Sequence, residues 1–148
     1  MQILDALIIA GVVPDLTHVV VTEMEGGYWN EVARLDLPDG RSLVAKRFTT
    51  GSDNPYFPID PDLEARATAL LAGSGIGADP VAYLPEHRLL VTEYLDGPTW
   101  DGDVEAMGRL LRRVHAVAPR GLRSLAVGTR AGMGHARQIL DWGGARLA

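Results

Sequence analysis

The chain has 148 residues, 47% of them apolar and 22% charged, with a net charge of -5 at neutral pH. Such a chain is globular rather than disordered, long enough for one domain or for one lobe and part of a second, and too acidic overall to suggest a nucleic-acid-binding surface. The absence of cysteine removes disulfides, Cys-based zinc sites and a thiol nucleophile, and fits a reducing, cytoplasmic compartment.

The apolar run from Ile3 to Val13 is too short to cross a bilayer and has no basic flank before it, so neither a transmembrane helix nor a signal peptide is expected. Leu4, Leu7, Ile8 and Gly11 fall at helical spacing, which predicts a short amphipathic helix stopped at Gly11 and Pro14. His18 to Thr22 is β-branched and reads as a strand. Gly26-Gly27 interrupts it, and Asn30 to Leu37 resumes an extended run. Pro38-Asp39-Gly40 is a turn signal, because Asp-Gly tolerates the positive φ angles that hairpins need. A third strand, Ser42 to Phe48, follows.

Thr49 to Pro61 is polar and proline-rich and reads as loop. Pro61-Asp62 then opens a helix whose apolar positions Leu63, Ala67, Leu70 and Leu71 are expected to share a face, with Gly73 and Gly75 ending it. Two short strands are expected at Pro80 to Leu84 and Arg88 to Tyr94, separated by the turn Pro85-Glu86-His87. Asp96-Gly97-Pro98 reads as a hinge. From Val104 the pattern turns helical, with Met107, Leu110, Leu111 and Val114 at helical spacing, acidic residues at the start and Arg112 and Arg113 near the end. A weaker helical pattern covers 135 to 147.

Lys46 is the only lysine; thirteen arginines supply every other fixed side-chain positive charge. Guanidinium is a planar fork and ammonium a compact, rotatable point charge, so a chain that otherwise uses arginine keeps a lysine where a phosphate must be met by the latter. By strand alternation Val44 and Lys46 face the same way, and Glu64 on the following helix is in position to pair with the lysine. A glycine turn, Glu25-Gly26-Gly27-Tyr28-Trp29-Asn30-Glu31-Val32, lets backbone N–H groups approach anionic phosphates with no Cβ in the way. Strand, glycine turn, strand, hairpin, strand with lysine, helix with glutamate, two strands and a hinge is the order of the small lobe of a protein-kinase-like fold. The expected class is therefore α+β: an antiparallel five-stranded sheet with its helix, a hinge, and the first helices of a truncated large lobe.

Particular runs carry a closer resemblance. Leu63-Glu64-Ala65-Arg66-Ala67 through Leu70-Leu71, Gly75-Ile76-Gly77-Ala78-Asp79-Pro80, Leu89-Leu90-Val91-Thr92-Glu93-Tyr94-Leu95-Asp96-Gly97 and Gly108-Arg109-Leu110-Leu111-Arg112-Arg113-Val114-His115-Ala116 together resemble the aminoglycoside phosphotransferase and choline kinase family. The resemblance covers about residues 18 to 117 and rests on order and spacing more than on any one motif. It implies that Gly26, Gly27 and Asn30 lie over the phosphates of ATP, that Val44 covers the adenine with Val32 also among the nucleotide-binding residues, and that Lys46 contacts the phosphates while Glu64 orients it. The backbones of Glu93 and Leu95 would read the adenine edge. Trp29 is bulkier than the small residue the family places in this loop, and His115 reads as a helix-end packing residue.

The resemblance also implies groups that do not occur here. Phosphoryl transfer in this fold uses a His-x-Asp-x-x-x-x-Asn loop and a later Asp that holds magnesium. The histidines are His18, His87, His115 and His135, and none is followed two residues on by aspartate. Asp141, in Ile139-Leu140-Asp141-Trp142-Gly143, echoes the later aspartate but follows His115 too closely for that role. The expectation is a nucleotide-binding small lobe over 1–95 and a hinge with a partial helical lobe over 96–148, with no catalytic residue and no identifiable magnesium ligand. Three readings stay open: the ATP-binding part of a small-molecule phosphotransferase, inactive alone; a non-catalytic, kinase-derived interaction module; and one half of a split kinase completed in trans. The apolar helix faces would serve a missing lobe or self-association, and neither a membrane nor a nucleic-acid partner is expected.

Overall fold

A computed structural model of the chain describes residues 3–13, 17–25, 30–49, 59–98 and 100–117. Gly26, Gly27, the rest of the glycine turn to Trp29, and the segment around His135 and Asp141 lie outside the described residues. The elements run α1 (Ile3–Ile9), β1 (Val20–Glu23), β2 (Asn30–Asp36), β3 (Ser42–Phe48), α2 (Pro61–Leu71), β4 (Pro80–Leu84), a single 3-10 turn (Pro85–His87), β5 (Leu89–Glu93) and α3 (Val104–Val117). The five strands form one sheet in the order β1-β2-β3-β5-β4, and every neighbouring pair is antiparallel. The α+β class and its antiparallel five-stranded sheet thus match the expectation.

Local chemistry sets the element ends. α1 closes on Gly11, whose φ of +68° suits glycine, and the bonds Gly11 N–H to Ile8 O (2.9 Å) and Val12 N–H to Leu7 O (2.9 Å) complete a Schellman motif. The β2–β3 hairpin turns through Pro38, Asp39 and Gly40, the last at φ +86°. Asp39 accepts from the Arg41 N–H at 3.0 Å and from Arg41 Nε at 2.8 Å, which fixes the far side of the turn. β1 begins two residues later than the sequence suggests, because His18 sits in the left-handed region at φ 67° and the chain becomes extended only beyond it. α2 starts with Asp60 accepting from the Leu63 N–H at 2.9 Å, followed by Pro61 in the first turn.

Alternation along the strands divides the core in two. Leu35, Leu37, Leu43, Ala45, Leu89 and Val91 face α1 and bury against Ala6, Leu7 and Val13. The opposite face buries Phe48 and Leu90 against Ala65 of α2. The face of α2 differs from the stripe expected at Leu63, Ala67, Leu70 and Leu71: Ala65 is 8% exposed and Leu70 is 38% exposed. Alanine's small side chain lets the helix backbone approach Phe48 and Leu90, so the packed face is set by close approach rather than by the largest apolar residues. α2 thereby covers one end of this sheet face and leaves the rest as the wall of a cleft.

α3 is tied on differently. Asp103 caps it, its Oδ1 accepting from the N–H groups of Glu105 (2.9 Å) and Ala106 (3.0 Å). No residue of α3 is buried. Arg113 reaches back to the loop after α2, donating to the carbonyls of Ser74 at 2.9 Å and Gly75 at 3.3 Å. Among the described residues no helix is long and apolar enough to cross a membrane.

Candidate functional site

On the sheet face shared with α2, register sets the neighbours. Val32 lies opposite Lys46 across β2 and β3, and Val44 lies opposite Thr92 and Lys46 opposite Leu90 across β3 and β5. These side chains floor a cleft of about 230 Å³, whose far wall is Glu64, Thr68 and Leu71 of α2 with Gly77 and Ala78 of the following loop. Glu64, Thr68 and Leu71 recur at helical spacing and so share one side of α2.

At the centre is one ion pair. Lys46 Nζ donates to Glu64 Oε1 at 2.5 Å, with the lysine side chain 29% and the glutamate 41% exposed. The Glu64 bond takes one of the three N–H donors of the ammonium. Nζ also stands 5.0 Å from the centroid of the Phe48 ring, within cation–π range. The Thr68 hydroxyl is turned back onto its own helix, donating to the Glu64 carbonyl at 2.9 Å. α2 is further held to the sheet by the Tyr83 hydroxyl, which donates to Asp62 Oδ1 at 2.6 Å. Burial first, and the Asp62 carboxylate second, push the Tyr83 phenol up to about 12.

Four residues singled out from the sequence therefore meet in one cleft: Val32, Val44, Lys46 and Glu64. Asn30, Glu93 and Leu95 are not in its wall. Asn30 begins β2 opposite Phe48, and its Oδ1 is buried without a hydrogen-bond partner. Glu93 ends β5, its N–H donating to the Asp79 carbonyl at 2.9 Å. Leu95 follows in the connecting segment, 63% exposed. Sequence reasoning missed Thr92, Leu90, Thr68 and Leu71 as wall residues. Strand parity across the β3–β5 register would have found the first two, and the helical spacing from Glu64 the others.

A larger depression, about 720 Å³, lies along β1 and β2 between Leu4 and the edge of β3. Its only described cation, Arg47, is already held by Glu31, with Nε and Nη2 donating at 2.9 and 2.6 Å. Size alone does not make it the site, and the cleft with the lysine–glutamate pair is the chemically equipped one. Among the described residues there is no group of three or more acidic or histidine side chains placed to hold a metal ion.

No protein-family model and no curated protein matches the chain. Among solved structures it is similar to a protein from Thermobifida fusca YX-ER1 assigned as a fructosamine-3-kinase, at 22% identity and a TM-score of 0.47, over 66% of this chain and 34% of that one. The chain spans about a third of the length of the solved structure it matches.

Proposed function

We propose that the chain is the ATP-binding part of a small-molecule phosphotransferase of the aminoglycoside phosphotransferase and choline kinase type, with residues 1–95 as the nucleotide lobe and 96–148 as the hinge and the start of a helical lobe. The observation that carries the reading is the Lys46–Glu64 ion pair set into a cleft with Val32, Val44 and Thr92. A pair this exposed stabilises a fold by only ~0–1 kcal/mol. Its place in a cleft is better explained by a ligand that needs an oriented ammonium than by stability.

In this reading Val32 and Val44 supply the apolar surface for adenine, and the backbones of Glu93 and Leu95 meet its polar edge. Lys46 neutralises phosphate charge, Glu64 holds the lysine's direction, and Gly26, Gly27 and Asn30 close over the phosphates. Transfer of the γ-phosphoryl group to an acceptor hydroxyl further requires a carboxylate beside the hydroxyl and ligands for magnesium. Among the described residues there is no such cluster. Acceptor and catalytic groups then belong to the helical lobe, in the same polypeptide or in a partner.

Calorimetric titration of the purified chain with Mg-ATP, beside Lys46→Ala, tests the reading. Saturable binding that the substitution weakens at least roughly tenfold is expected, since one lost charge-assisted contact costs about 1.5–3 kcal/mol. A folded chain that binds no ATP, or binds it equally well without Lys46, overturns the nucleotide lobe and leaves an interaction module as the account.

A further inference from the structure

Next to the cleft, one row further along the same sheet face, four side chains form a closed network. Arg34 lies opposite Val44, and Asp36 opposite Ser42, in the β2–β3 register. Arg34 Nε donates to Asp36 Oδ1 at 2.8 Å, Arg34 Nη2 donates to Ser42 Oγ at 3.4 Å, and the Ser42 hydroxyl donates to Asp36 Oδ1 at 2.5 Å. The guanidinium so fixed sits over the Tyr94 ring, its Cζ 4.1 Å from the ring centroid. Tyr94 is the residue between Glu93 and Leu95, and its own N–H donates to the Ser42 carbonyl at 3.0 Å. The backbone of Tyr94 is therefore anchored to the start of β3 and its ring to Arg34 of β2.

We propose that Arg34, through its stack on Tyr94, is a positioning residue that holds the segment Glu93–Leu95 in register to read the base of an adenine nucleoside; this rests on the nucleotide reading above. Neither Arg34 nor Tyr94 is in the cleft wall, so they act through the backbone they fix. Arg34 and Asp36 are each about a third exposed, and an ion pair of that kind contributes little to global stability. Its geometric effect is larger. An arginine fork bound on two sides loses its freedom to leave the ring, and a stacked aromatic side chain restrains the backbone that carries it. The arrangement assigns the two ends of the ligand to different residues: Lys46 to the phosphates and Arg34 with Tyr94 to the base.

That division gives the test. The full chain is titrated with ATP, and adenosine and tripolyphosphate are each used as competitors, for wild type, Arg34→Met, Tyr94→Leu, Tyr94→Phe and Lys46→Ala. Arg34→Met and Tyr94→Leu are expected to weaken adenosine roughly five- to tenfold and leave tripolyphosphate within about twofold, the range of one partly exposed cation–π contact. Tyr94→Phe keeps the ring and should bind adenosine like wild type, and Lys46→Ala should reverse the pattern, losing tripolyphosphate and keeping adenosine. If Arg34→Met fails to fold, the Tyr94→Leu and Tyr94→Phe pair carries the comparison. ATP binding that depends on Lys46 while adenosine ignores both Arg34 and Tyr94 overturns this inference alone. A folded wild type that binds no ATP overturns the nucleotide reading, and the inference falls with it.

Discussion

Lys46 can be interrogated chemically because it is the only lysine. An amine-acylating reagent has one side-chain target, and ATP is expected to slow its modification, read by peptide mass spectrometry; equal rates with and without ATP would place the ammonium away from the ligand. Lys46→Ala should change unfolding free energy by less than about 1 kcal/mol in urea titration, because both partners keep access to water. Tyr83 holds its phenol proton to higher pH than a surface tyrosine. Its pKa is raised from 10.0 to about 12 in the folded chain, so the folded state holds the phenol proton more tightly than the unfolded one. The stability this gives is fully present below pH 10 and is lost as pH rises toward 12. Tyr83→Phe should remove a tyrosinate absorbance step near pH 12 and flatten the decline of stability over that window. A step lost near pH 10 instead would mean that the burial and Asp62 contact of the phenol are not kept in solution.

At the scale of elements, α2 is the piece on which the cleft depends, since it carries Glu64 and packs through a single buried alanine. Ala65→Leu is expected to destabilise the chain by about 1–3 kcal/mol through overpacking against Phe48 and Leu90, and to weaken ATP binding by moving Glu64 off Lys46. Asp60→Ala, which only removes the cap, should cost about 1 kcal/mol. Chemical denaturation and calorimetry separate the two effects. Most of this architecture was readable from local signals. Ser42–Phe48 and Pro80–Leu84 appear as strands over the residues expected, because β-branched runs bounded by turn residues leave the backbone few alternatives. The buried side of α2 was not readable: periodicity weighs Leu63 and Leu70 by hydrophobicity, whereas the sheet selects the small residue that permits close approach. Lys46 with Glu64 could be anticipated from spacing within a known order of elements. Arg34 with Tyr94 could not, since nothing local links a residue of β2 to one beyond β5 until the register across β3 is known.

For the whole molecule, the two clusters on either side of the sheet imply unequal robustness. Leu35→Ala removes a fully buried side chain from the α1 side and should cost about 2–5 kcal/mol. Leu70→Ala, on the exposed side of α2, should cost under about 1 kcal/mol. α3 buries none of its residues, so its amides are expected to exchange with deuterium well before those of β3; equal protection would show α3 packed in solution against something outside the described contacts. The alternation within β3 has a consequence for how such a chain can change over generations. Leu43 and Ala45 face α1 while Val44 and Lys46 face the cleft, so under the proposed nucleotide reading selection for heat tolerance and selection for ligand choice would act on neighbouring codons of one gene segment. Heat tolerance can then drift at the first pair while ligand choice stays constant at the second, and a library that randomises only the α1-facing codons would recover tougher variants with an unaltered appetite for ligand.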